Sequence, residues 1–350
     1  MIGPGLFWYN QINILKKWRC VFSKQNRVYA REGGIYHVIC RTNQKIFFFT
    51  DEEKGILWTL ICRAADFGGV EILTYCVMDN HLHLLIHIPE KRYVPDDELV
   101  GRIRMLYSPE KSAKVLDKWR KLEEEGCSTL LEIEREKYRK RTYNLSDFVK
   151  TFKEDYTESF NRRFNQIGTV WAGRYKSILV SDTPGLSLLI ALYIDLNPVR
   201  APIEGVEGDP GNYGWSGAAA ALRGDRRARE GICMIGRRVG FAQEDSLPEK
   251  VVACYYGTLI GKIGAPFKTI LEREIVIDKD DRRFCRALRD RGKITVWELI
   301  HCRCRLFTDG QAIAGDVQTL KDIKQSHPCA SVLPGFCIAH PLRGVEVILP

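Results

Sequence analysis

Two apolar runs, Val70–Val77 and His81–Ile88, are separated only by Met78-Asp79-Asn80. Strand-length runs joined by so short a turn containing Asp and Asn predict a β-hairpin. Side chains alternate along a strand. Within HLHLLIHI, His81 and His83 therefore share one face, while Leu82 and Leu84 point into the core. His87 falls on the histidine face about 13 Å beyond His83, at ~3.3 Å per residue, and is peripheral.

Flanking segments carry further punctuation. A strand over Ile35–Cys40 begins after Gly33-Gly34 and ends at Arg41-Thr42-Asn43. Residues 51–68 predict a helix capped by Asp51, with Ile56, Leu57, Leu60 and Ile61 at helical spacing. A second helix spans Asn144–Phe164, with Asn144 or Ser146 as its cap. Its Phe148, Phe152, Tyr156, Phe160 and Phe164 form a core-facing ridge. After Gly168 comes a loop, then a strand over Ser177–Val180. The next helix is capped by Asp182 or Thr183, holds Pro184 in its first turn and is stopped by Pro198 directly after Asn197.

At 350 residues the chain has room for about two domains. We divide it into an irregular lead-in over 1–30, a principal domain over 31–222, a linker over 223–245 where composition shifts, and a mostly helical C-terminal region over 246–350. Within the principal domain, residues 91–142 are charge-rich with few apolar anchors and read as an exposed helical insertion. There is no run of about 18 apolar residues, so no membrane span is expected. The N-terminus lacks a basic region followed by an apolar one, so no secretory signal is expected.

Lys and Arg number 53 against 44 Asp and Glu, a net charge of +9 that permits a polyanionic partner. The 12 cysteines include no C-x-x-C pair, and reduced thiols in a cytoplasmic setting are the expectation. His301, Cys302, Cys304, His327, Cys329, Cys337 and His340 cluster near the C-terminus, but their spacing matches no common zinc module.

Three constellations carry chemistry. His81 and His83, on one strand face, can bind a divalent ion, although structural histidines share the same pattern. Tyr193 and Asn197 stand four apart in the helix before Pro198 and so share one face. A tyrosine hydroxyl can attack phosphorus, and an Asn carbonyl oxygen can complete a site for Mg²⁺ or Mn²⁺. Arg162, Arg163, Trp171, Arg174, Tyr175 and Lys176 mix cations with rings, which suits single-stranded nucleic acid and equally an ordinary half-buried loop.

The pieces occur in a recognisable order: REGGIYHVICRTN, YCVMDNHLHLLIHIPE, FNRRFNQIGTVWAGRYKSILV, YIDLNPVRA and NYGWSG. The series resembles the REP-associated tyrosine transposases of the single-tyrosine HUH superfamily, over roughly residues 30–218. WELIHCRCRLFTDGQAIAG also resembles the C-terminal extension of a long bacterial subgroup.

The resemblance implies a ferredoxin-like α+β domain with a central antiparallel sheet. It puts the metal ligands at His81, His83 and Asn197, the nucleophile at Tyr193, and the cofactor as Mg²⁺ or Mn²⁺. It also implies DNA contacts from Arg174 and Lys176, and from Tyr36 and His37 at a hairpin flank. Arg162, Arg163 and Tyr175 join this set from the basic-aromatic stretch. The implied activity is nicking and rejoining of single-stranded, hairpin-flanking DNA through a 5′-phosphotyrosine, by a monomer or homodimer. The competing expectations are a silent hairpin-DNA-binding protein, a relaxase-type nickase and an RNA-binding module.

Overall fold

A computed structural model of the chain describes residues 33–43, 49–180, 184–201 and 203–260, with short paired strands elsewhere. The Cys/His cluster over 301–340, the caps expected at Asp182 and Thr183, and most of the region beyond 260 lie outside the described residues. The chain divides into two units. One comprises residues 1–41, 72–87 and 174–350, and the other 42–71 and 88–173.

Strand β1 is Gly34–Arg41, helix α1 Asp51–Gly68, β2 Glu71–Val77 and β3 His81–Ile88. The insertion forms α2 (Asp96–Leu106), α3 (Pro109–Glu124) and α4 (Ser128–Arg139), followed by α5 (Leu145–Phe164) and β4 (Lys176–Val180). The strands lie in the order β2-β3-β1-β4, with β1 antiparallel to β4 and His37 opposite Ile178. With the insertion set aside, the succession is β-α-β-β-α-β. That succession and strand order make a ferredoxin-like α+β fold, an open antiparallel sheet flanked by helices. A two-residue strand, Ile313–Ala314, adds in parallel to Leu179–Val180.

In the first unit, α6 (Pro184–Asp195) and a short α7 (Asn197–Arg200) follow the sheet. After them come α8 (Gly217–Leu222), α9 (Arg226–Val239) and α10 (Pro248–Leu259), so the described residues beyond the sheet are mostly helical. Residues 223–245, expected as a linker, contain α9, which packs against α6, α8 and α10. Arginines dominate its composition, but Ala228, Ile232, Ile235 and Val239 make one buried face at helical spacing. Burying each isoleucine contributes roughly 1.5–3 kcal/mol, more than a flexible linker could offer. A side chain at Gly231 would collide with the carbonyl oxygens of Ile72 and Leu73, so glycine lets α9 lie directly on β2. The NYGWSG segment also belongs to this packing. Val77 donates its N–H to the Trp215 carbonyl at 2.9 Å, and the Tyr213 hydroxyl donates to Val77 O at 2.7 Å.

In the second unit, α1 packs on α5. Phe148, Phe152, Tyr156 and Phe160 are buried as the ridge predicts, while Phe164 at its end is exposed. Thr50, not Asp51, caps α1 by accepting from Glu53 N; Asn144 caps α5 by accepting from Ser146 N and Asp147 N. Such caps contribute typically ~1 kcal/mol. The insertion has more anchors than its charge suggests. Val94, Leu99, Ile103, Leu106, Trp119 and Leu131 form a buried cluster with Phe67. Arg139 stitches it by donating to Val94 O at 2.9 Å and pairing with Asp96 and with Glu132.

Candidate active site

The hairpin that positions the histidines is closed by Met78 N donating to His81 O at 2.8 Å. Leu82 and Leu84 are fully buried, as alternation requires, but His83 on the opposite face is also only 2 % exposed. Both faces of β3 are covered. On the histidine side the cover includes Tyr193, whose ring lies edge-on to His83 with centroids 5.7 Å apart, and edge-on to His37 at 6.0 Å. His81 and His83 rings are 5.1 Å apart, as are His83 and His37, the latter pair stacked. The structure thus brings together His81, His83 and Tyr193, and adds His37. Tyr193 itself is 3 % exposed.

Helix α6 delivers Tyr193 because it is apolar nearly all round and can be buried from every side. Its last residue, Asp195, fixes the end. The Asp195 carboxylate is fully buried and accepts from Tyr255 OH at 2.6 Å, Thr74 Oγ1 at 2.8 Å and Ala218 N at 3.0 Å. Burial raises its carboxyl to about 6, opposed by these hydrogen bonds.

Pro198 does not simply end the tyrosine helix. The helix closes at Asp195, and Pro198 sits in the first turn of α7, where its missing N–H costs nothing. Asn197 therefore stands across a break from Tyr193. It remains next to it: Asn197 Nδ2 donates to Tyr193 O at 3.0 Å and to Ile194 O at 3.3 Å, satisfying carbonyls at the helix end.

The three imidazoles are held neutral. Burial brings His37 down to about 3. Burial, then the Arg41 charge, brings His81 down to about 4 against the pull of Asp79. His83 is well below the ordinary range through burial, then its histidine neighbours, Arg41 and Arg200. Neutral imidazole is the form that ligates metals.

Among the described residues, no three His, Cys, Asp or Glu side chains form a metal-holding group. The mixed set of His81, His83 and Asn197 does have suitable donor chemistry. His81 Nδ1 donates to Asn80 Oδ1 at 2.6 Å, leaving Nε2 as its bare nitrogen. Asn197 uses its amide nitrogen on the two carbonyls, leaving its oxygen. His83 Nδ1 is engaged with His37 Nε2 at 2.8 Å. In each residue the atom that a metal would not need is already occupied.

The expected DNA contacts separate. Arg174 and Lys176 are exposed at the start of β4. Tyr175 is buried. Arg162 is exposed and pairs with Glu158, whereas Arg163 pairs with the buried Glu53, which also takes the Tyr156 hydroxyl. Tyr36 and His37 are both buried and offer no surface to DNA; His37 faces the histidine pair instead.

Sequence reasoning missed Asp195, Arg200 and Arg41. Arg200 places its guanidinium carbon 5.0 Å from the Tyr193 ring centroid, a cation–π contact. For Asp195 and Arg200 the signal is a lone acid and a lone base that follow Tyr193 by two and seven residues in the same short motif.

Residues 31–121 match the family model described as Transposase IS200 like. This segment, roughly a quarter of the chain, takes in β1, α1 and both strands of the histidine hairpin, and ends before Tyr193. Among solved structures the chain is similar to a REP-associated tyrosine transposase bound to a REP hairpin. The identity is 13 % and the TM-score 0.37, over 58 % of this chain and 87 % of that one. No curated protein matches the chain. Among the described residues, no helix is long and apolar enough to cross a membrane.

Proposed function

We propose that the chain nicks and rejoins single-stranded DNA beside a hairpin, with Tyr193 as nucleophile and His81, His83 and Asn197 as holders of Mg²⁺ or Mn²⁺. The observation that carries this reading is the Tyr193 ring set edge-on to His83 at 5.7 Å, on a hairpin inside the IS200-like segment. The Tyr193 oxygen bonds to phosphorus as the P–O3′ bond breaks. The phenol gives up its proton and the departing 3′ oxygen gains one, leaving a 5′-phosphotyrosine and a free 3′-hydroxyl. Because the ester conserves the bond, attack by another 3′-hydroxyl rejoins a strand without ATP. A bound divalent ion supplies charge withdrawal and orientation at the phosphate. Arg200 holds a positive charge at the nucleophile, and Arg174, Lys176 and Arg162 are the exposed cations for the DNA backbone.

One observation favours a second reading, a hairpin-binding protein without nicking activity: Tyr193 is only 3 % exposed. Incubating the protein and its Tyr193→Phe variant with labelled hairpin-bearing single-stranded DNA and Mn²⁺ decides between them. A covalent adduct on a denaturing gel with wild type alone supports the transposase reading. Salt-sensitive hairpin binding with no adduct, in Mn²⁺ and again when Mg²⁺ replaces it, supports the second.

A further inference from the structure

We propose that His37 is a positioning residue for His83: its Nε2 accepts the Nδ1 proton of His83, so that His83 turns a bare Nε2 toward the ion. This rests on the metal reading above and adds to it a residue that touches neither ion nor substrate.

The argument starts from the strand order. β1 and β3 are neighbours, and they bring His37 and His83 together with ring nitrogens 2.8 Å apart. Neither ring is open to water: His37 is 0 % exposed and His83 2 %. A contact between two neutral imidazoles carries one shared proton, so only two arrangements exist. If His37 Nε2 donates, His83 must carry its own proton on Nε2, and that nitrogen has no lone pair for a metal. If His83 Nδ1 donates, its Nε2 is bare and the proton of His37 resides on Nδ1.

The second arrangement has a cost that is visible in the structure. His37 Nδ1 is buried and has no hydrogen-bond partner among the described residues. A stranded N–H there is unfavourable, which an ion bound to His83 offsets. Moving between the arrangements shifts the shared proton from His37 Nε2 to His83 Nδ1, while His83 Nε2 gives one proton to water and His37 Nδ1 takes one from water, so the net charge of the pair is unchanged. His81 shows the same design with a simpler partner, since Asn80 Oδ1 can only accept. Second partners of this kind fix ring orientation and tautomer in metal sites, and losing one typically costs 10–100-fold in affinity.

The test compares full-length wild type, His37→Gln and His37→Phe, with the signal of free Mn²⁺ in electron paramagnetic resonance as the readout. Gln supplies an acceptor near the former Nε2; Phe keeps a ring and removes the nitrogen. The expected result is a 10–100-fold loss of Mn²⁺ affinity in the Phe variant and near wild-type affinity in the Gln variant. Equal affinity in wild type and His37→Phe overturns the inference and leaves the metal reading standing. Absence of Mn²⁺ binding in wild type overturns both. ¹⁵N spectra of wild-type histidines with Mg²⁺ decide independently of whether the variants fold. His83 protonated on Nδ1 supports the inference, and His83 protonated on Nε2 overturns it.

Discussion

Tyr255 donates its hydroxyl to Asp195 at 2.6 Å, tying α10 to the helix end that carries Tyr193 two residues earlier. The same carboxylate takes Thr74 from β2 and Ala218 from α8, so one buried acid joins four elements of the first unit. Replacing Tyr255 with Phe leaves the carboxylate short of one donor in a site that water does not reach. The expected loss is about 1–3 kcal/mol of stability in urea unfolding. Adduct formation by Tyr193 is expected to fall with it. An unchanged urea midpoint would show that the latch is incidental.

The pH dependence of stability follows from two opposed sets of buried groups. Asp195, raised to about 6 by burial, holds its proton more tightly folded than unfolded. Its contribution is complete below about pH 4 and is lost as pH rises through about 6. His37 and His81, lowered to about 3 and about 4, and His83, lowered further, run the other way. Theirs is complete above about pH 6.5 and is lost as pH falls toward 4. Three groups oppose one, so net stability is expected to fall between pH 6.5 and 4. Asp195→Asn removes the opposing acid and should steepen that fall. Urea unfolding at closely spaced pH values checks both statements, and a rise in stability on acidification contradicts them.

Much of this site was legible in the sequence, for reasons that mark where such reading stops. Alternation puts His81 and His83 on one strand face; that Tyr193 joins them is implied by the resemblance alone, and the largely apolar α6 is what carries it there in the fold. Alternation alone says nothing about what covers the second face, so the burial of His83 needed α6. His37 was legible as a strand residue but not as a partner of His83, because register across neighbouring strands is a tertiary property. A composition shift suggests a linker over 223–245, but the helical spacing of Ala228, Ile232, Ile235 and Val239 gives that segment a face to bury. Pro198 after Asn197 predicts a stop, but proline is equally at home in a first turn, and here it opens α7.

Arg200 and Tyr193 offer a test of local electrostatics. A guanidinium 5.0 Å from the ring centroid contributes about 0.5–2 kcal/mol, depending on how far it is desolvated. Arg200→Ala is expected to slow adduct formation by about 2-fold to 30-fold, the rate equivalent of that energy. Arg200→Lys keeps the charge and should recover part of the rate. Equal rates for the Ala variant and wild type would remove Arg200 from the reaction.

Neighbouring arginines on α5 should separate structure from DNA binding. Arg163 pairs with Glu53, whose side chain is 3 % exposed, so Arg163→Ala strands a buried carboxylate. Losing one partner of a buried pair costs about 3–5 kcal/mol, and this one is partly open on the Arg163 side, so the lower end is expected. Arg162 pairs with Glu158 on the surface, and Arg162→Ala should change stability by less than ~0.5 kcal/mol. In filter binding to single-stranded hairpin DNA, Arg162→Ala, Arg174→Ala and Lys176→Ala should each weaken affinity without changing sequence preference. Each should also reduce the slope of log affinity against log salt, by about 0.7–0.9 for every phosphate that the variant leaves unneutralised. A variant whose slope equals that of wild type marks a cation that does not touch the backbone. If all three keep it, the DNA path lies elsewhere on the protein.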